Sequence, residues 1–75
     1  MSKFIRFERA AELHGGRACY WIINKRAGDI IGRVLWYPAW RSYVCEFSPG
    51  SVWSAGCLDD VSARLKELAA GKETT

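Results

Sequence analysis

Four stretches of the chain alternate or cluster apolar residues as strands do, and one repeats them as a helix does. Lys3 to Arg9 carries Phe4, Ile5 and Phe7 and reads as a short first strand, with Ala10 to Gly16 as a following loop around the Gly15-Gly16 turn signal. Arg17 to Asn24 (R-A-C-Y-W-I-I-N) is rich in aromatic and β-branched residues, the composition of a half-buried pleated surface. Asn24 to Asp29 is a hairpin connection in which Gly28 supplies a left-handed position. Asp29 to Pro38 is the next strand, Pro38 to Arg41 a turn, and Ser42 to Phe47 a further strand. After the Ser48-Pro49-Gly50-Ser51 turn, Val52-Trp53 offers a short extra pairing. From Ser54 to Ala70 the period changes. Leu58, Val61, Leu65 and Leu68 fall at i, i+3, i+7 and i+10, Ser54 is a natural N-cap, and Gly71 follows as the C′ stop. Asp59 and Asp60 are expected to face the helix dipole, and Asp60 to pair with Arg64. The expected fold is α+β: an antiparallel meander of four or five strands with one C-terminal helix on one face.

Pairing Asn24 with Asp29 and Tyr37 with Ser42 fixes which residues share a face, since directly opposite residues point the same way. One face then holds Cys19, Trp21, Ile23, Ile30, Gly32, Val34, Trp36, Tyr43, Cys45 and Phe47. It is uniformly apolar, sets Trp21 over the strand glycine Gly32, and is expected beneath the helix. Cys19 and Cys45 would flank Val34, about 9.6 Å apart, too far to bridge. The other face holds a charged row, Tyr20–Arg33–Glu46, among Ile22, Ile31, Leu35, Tyr37 and Val44. One helix cannot cover both faces, so this second face is expected to meet solvent, another copy or a partner. A slip of one residue would exchange the faces.

Seventy-five residues are expected to form one domain spanning 1–75, frayed at 1–2 and 72–75. A chain this short has a thin core, and four Trp, three Tyr and three Phe are its compensation. Three cysteines, with no apolar signal segment and no run of membrane-spanning length, point to free thiols in a reducing cytoplasm. The formal net charge of +3 is mild, but up to Arg41 the chain holds eight Lys and Arg against three acids, so any basic face belongs to the first half.

Catalytic grammar is missing. Cys19, Cys45, Cys57 and His14 have no metal-ligand spacing, which predicts no metal and no cofactor. Cys57, at the helix start, reads as a small core residue. His14 has no nominated nucleophile, and Asp59 and Asp60 diverge by about 100° on a helix. What stands out is Trp36 to Arg41, W-Y-P-A-W-R. Trp36 is expected over the end of the core, whereas Trp40, at a turn tip beside Arg41, is hard to bury. Aromatic plus Arg is the vocabulary of protein hot spots and of single-strand stacking.

The pattern W-I-I-N-K-x-x-G-D-I-I-G-x-V-x-W-Y-x-x-W-R-x-Y from Trp21 to Tyr43, then V-W-S-A-G-C-L-x-D from Val52 to Asp60, resembles a group of short proteins met in phages, prophages and bacterial genomes. The resemblance spans about Trp21 to Leu68. Cys45 and Trp53 stand where Phe is expected in that group. It implies no catalytic residues; it implies a mobile-element accessory protein that clamps onto a host protein.

The resulting expectation is a non-enzymatic binding protein, an inhibitor or anti-defence factor such as an anti-CRISPR, contacting a host or defence-system protein through Tyr20, Arg33, Leu35, Tyr37, Trp40, Arg41 and Glu46. The alternatives are a nucleic-acid or nucleotide binder, with Tyr20, Tyr37 and Trp40 stacking and Arg17, Arg33 and Arg41 on phosphates, and a homodimer built through the second face.

Overall fold

In the computed structural model, which describes residues 4–71, the chain forms β1 (Ile5–His14), β2 (Arg17–Asn24), β3 (Ile30–Tyr37), β4 (Ser42–Phe47) and α1 (Ala55–Ala69). The strands pair in sequence order as an antiparallel sheet, β1-β2-β3-β4, and α1 packs on one face. The fold is therefore the expected α+β meander. It has four strands, because Val52-Trp53 joins no pairing: Val52 is 91% exposed. The expected start of β1 at Lys3, and the frayed ends 1–2 and 72–75, lie outside the described residues.

β1 is longer than its apolar pattern suggests. It continues through Ala10 to Glu12, where an irregularity between Arg9 and Leu13 breaks the alternation, and ends by pairing His14 with Arg17. Gly15 and Gly16 are the two central residues of that hairpin, with φ 61° and 80°, the double left-handed turn whose twist suits flanking strands. The β2–β3 connection closes as expected around Gly28 (φ 80°). The Asn24 side chain accepts from the N–H groups of Arg26 and Ala27, an Asx turn.

The register of β2 against β3 differs from the expected one. Ile23 faces Ile30, but Ile22 faces Gly32, Trp21 faces Arg33 and Tyr20 faces Val34. A bulge between them absorbs Ile31, one residue on β3 with no opposite number. Beyond it every β2 side chain is turned to the other face. The β3–β4 register is as expected, from Tyr37↔Ser42 to Gly32↔Phe47. The face under the helix therefore combines Ala18, Tyr20 and Ile22 of β2 with Val34 of β3, joined by Ile5, Ile31, Cys57, Val61 and Leu68. Phe7, Tyr43, Cys45, Trp53 and Leu65 pack around them. Gly32 is covered by the Trp53 ring, not by Trp21. Cys19 and Cys45 lie on opposite faces, and all three cysteines are free thiols.

α1 is capped as expected: Ser54 Oγ accepts from the Cys57 N–H at 3.2 Å. Its buried stripe is rotated from the expected one. Cys57, Val61 and Leu68 are buried, Leu65 is half-buried, and Leu58 is 44% exposed. The first turn holds no acid, so Asp59 and Asp60 sit past the reach of the helix terminus. Arg64 reaches Glu67 (3.8 Å) and lies 4.6 Å over the Phe7 ring, fastening α1 to β1.

Candidate functional site

The face away from α1 carries a polar row across the whole sheet, Glu8–Trp21–Arg33–Glu46, with Trp21 where Tyr20 was expected. Tyr20 is 2% exposed in the core and is no surface residue. Arg33 Nε meets Glu46 Oε1 at 2.5 Å, and Arg6 meets Glu8 at 2.6 Å. Leu35 is on this face as expected, yet only 3% exposed. Cys19, Ile23 and Leu35 are all buried on it, and Cys19 lies under the irregular stretch of β1, its thiol donating to the Glu12 carbonyl at 3.4 Å. The uncovered face thus has a filled centre, and its large exposed apolar groups lie towards its ends: Ile30 near one, Tyr37 and Trp40 at the other.

That second end is where the chain concentrates its unusual residues. Trp40 N–H donates to the Tyr37 carbonyl and Arg41 N–H to that of Pro38, both at 3.2 Å, folding the tip back on itself. Arg41 is the one described residue other than glycine with positive φ, at 51°. This places Trp40 edge-on against Tyr37, centroids 5.1 Å apart at 83°, and leaves it 72% exposed. Trp36 does the opposite, as expected. It packs edge-on against Tyr43 at 5.3 Å, and the Arg17 guanidinium lies 3.9 Å over its ring. The antiparallel order brings the β1–β2 turn to the same end. His14 Nδ1 lies 3.1 Å from the Trp36 carbonyl as hydrogen-bond donor, and Gly15 packs against Trp36 and Pro38. Of the seven residues expected at a partner surface, Arg33 and Glu46 meet as a pair on the sheet, and at its end Tyr37 and Trp40 touch, with Arg41 next to them in the same turn. Tyr20 and Leu35 join neither group. Trp21 is the residue to add, hidden from the sequence by the bulge; Arg17, expected on phosphates in the nucleic-acid reading, lies against the Trp36 ring.

At the opposite end an open groove of about 610 Å³ runs over Phe4, Ile31, Val52 and Cys57. Its polar lining is Asn24, which closes its own turn, Ser54, which caps α1, and the cations Lys25 and Arg26. Among the described residues no group of three His, Cys, Asp or Glu could hold a metal ion, and no helix is long and apolar enough to cross a membrane. Compared with family models, curated proteins and solved structures, the chain matches none.

Proposed function

We propose that this chain is a non-enzymatic binding protein that docks onto a partner protein through the Tyr37–Trp40–Arg41 end of the sheet, with the Arg33–Glu46 pair further along the same uncovered face. The observation that carries the reading is Trp40. A tryptophan at a turn tip, ordered by a tyrosine and left open to water, costs apolar exposure that folding does not require. Rigid aromatic groups beside arginine are the side chains that dominate protein interfaces, because they bury much area while losing little freedom. The resemblance to short phage and prophage proteins supports a host or defence-system protein as the partner, with inhibition, as by an anti-CRISPR, as the outcome. Three free thiols suit the cytoplasm. The homodimer reading is weakened by the burial of Leu35, its apolar centre. The nucleic-acid reading loses Tyr20 to the core and Arg33 to Glu46.

A photo-crosslinking residue at position 39 tests the proposal, with position 62 on the exposed side of α1 as the control. In host cytosol, position 39 should give one protein adduct that Trp40→Ala abolishes, and position 62 should give none. Adducts from both positions alike, or from neither, would remove the proposed surface.

A further inference from the structure

We propose that the open edge of β4 pairs antiparallel with the β4 edge of a second copy of this chain, with Cys45 opposite Cys45, to make one continuous sheet. This surface is the rim of the sheet, not its uncovered face, and the pairing does not rest on the Trp40 reading. β4 ends the sheet and has β3 on one side only. Two observations give the phase of its hydrogen bonds. Ser48 N–H donates to the Ile31 carbonyl at 2.9 Å, and the next pair along, Gly32↔Phe47, begins the regular register. Bonded and non-bonded pairs alternate in an antiparallel ladder. Val44 and Glu46 therefore turn their N–H and C=O towards β3, and Tyr43, Cys45 and Phe47 turn theirs away from it. The Glu46 carbonyl agrees: its oxygen lies 2.6 Å from where Gly32 would carry a Cβ. Among the described residues, nothing outside the ladder bonds to the backbone of Tyr43, Cys45 or Phe47.

The two rims of the sheet differ in a way that singles out β4. β1 carries the devices that keep edges apart: an irregularity between Arg9 and Leu13, and the charges Arg6, Glu8, Arg9 and Glu12. β4 has an unbroken register, no proline and no lysine, and its one charge, Glu46, is held by Arg33. Phe47 at its end is 51% exposed beside the Trp53 ring. The strand is also complementary to itself. With Cys45 opposite Cys45, Tyr43 meets Phe47 of the second copy on the helix side, and Val44 meets Glu46 of the second copy on the other. Aromatic faces aromatic, and no like charges face each other. A shift of two residues would set Glu46 against Glu46. The pairing closes as well: it uses both β4 edges and leaves only the two guarded β1 edges outside, so it stops at two copies.

A short edge makes a small interface, so the association is read over concentration. Sedimentation equilibrium of the full chain from about 5 to about 500 μM should show its mass rising towards two copies and no further. Amide hydrogen exchange followed by NMR over the same series should show protection growing at Tyr43, Cys45 and Phe47, while Val44 and Glu46 are protected throughout. A chemically synthesised chain with a methyl group on the Cys45 backbone nitrogen loses no bond within the sheet, because that N–H points outward. It should associate at least about tenfold more weakly, with far-ultraviolet ellipticity showing that it is folded. Val44→Glu sets like charges against Glu46 of the second copy and should weaken association several-fold, whereas Val44→Lys should hold or tighten it. A mass that stays at one copy up to about 500 μM overturns the proposal. So does self-association that leaves exchange at Tyr43, Cys45 and Phe47 unchanged, which would place the contact elsewhere, or an equal response to Val44→Glu and Val44→Lys. None of these outcomes bears on the adduct from position 39, so this pairing and the Trp40 surface can fail separately.

Discussion

At the scale of single residues, the fold uses cysteine as a small apolar filler, and Cys45 shows what that does to its chemistry. Its side chain packs beside the core on β4, and its thiol lies 3.7 Å from the Glu46 carbonyl as donor. Burial penalises the thiolate, and the Glu46 carboxylate repels it, so its pKa rises from 9.0 to about 11. In the unfolded chain the thiol has its ordinary value. Between the two values the unfolded state has released a proton that the folded state retains, so rising pH favours unfolding there. The contribution of Cys45 to stability is whole below pH 9.0 and has been lost once the pH passes about 11. Urea midpoints at a series of pH values from 8 upward should therefore fall more steeply for the native chain than for Cys45→Ala, whatever the two midpoints are at pH 8. Parallel curves would show that the thiol ionises alike in both states.

At the scale of elements, nearly every strand and the helix were legible because each is written in local chemistry: period-two apolar residues, glycines where turns need them, a serine before the helix. The turn at Pro38–Arg41 sets the β3–β4 faces as its chemistry predicts. The faces of β2 differ from those the alternation predicts because a bulge leaves no mark in a run such as Asp29-Ile30-Ile31-Gly32, where either isoleucine can be buried. One inserted residue moved Tyr20 into the core and Trp21 out of it, which also changed the candidate site. Leu35 lies on the face that alternation gives it but is buried there, because its burial depends on neighbours that alternation does not name. Gly32 sits where the bulge meets β4, and it is the residue on which that geometry turns. A Cβ there would lie 2.6 Å from the Glu46 carbonyl oxygen and 3.3 Å from the Trp53 ring. Backbone cannot yield as a side-chain tip can, so Gly32→Ala should cost about 1–3 kcal/mol, the scale of overpacking. Thermal or urea unfolding measures it. A change within about 0.5 kcal/mol, the range of ordinary surface substitutions, would mean that β4 does not approach β3 this closely.

At the scale of the whole molecule, one core serves everything. The sheet has a single covering layer, and the buried cluster is built jointly from β1, β2, β3 and α1. A domain of this size has no second core to fall back on. The helix cannot stand alone, because at fifteen residues it depends on its packed face for stability. Nor can the sheet, because without α1 it would expose Ile22 and Val34, both wholly buried in the fold. The positioned turns at the far end inherit their order from this core through Trp36 and Tyr43. Helix, sheet and candidate site should therefore melt as one unit. Far-ultraviolet ellipticity near 222 nm and tryptophan fluorescence should give superimposable unfolding curves. Val61→Asp places a carboxylate in the middle of the joint core, away from water and with no cationic side chain in the buried cluster to balance its charge. The penalty is of the same order as the whole stability of a small domain, about 5 kcal/mol, so this one change should abolish the helical and the tertiary signals together. A Val61→Asp chain that lost its helix yet kept native tryptophan emission would show that the sheet holds itself together, and that the end carrying Trp40 and Arg41 does not rely on α1.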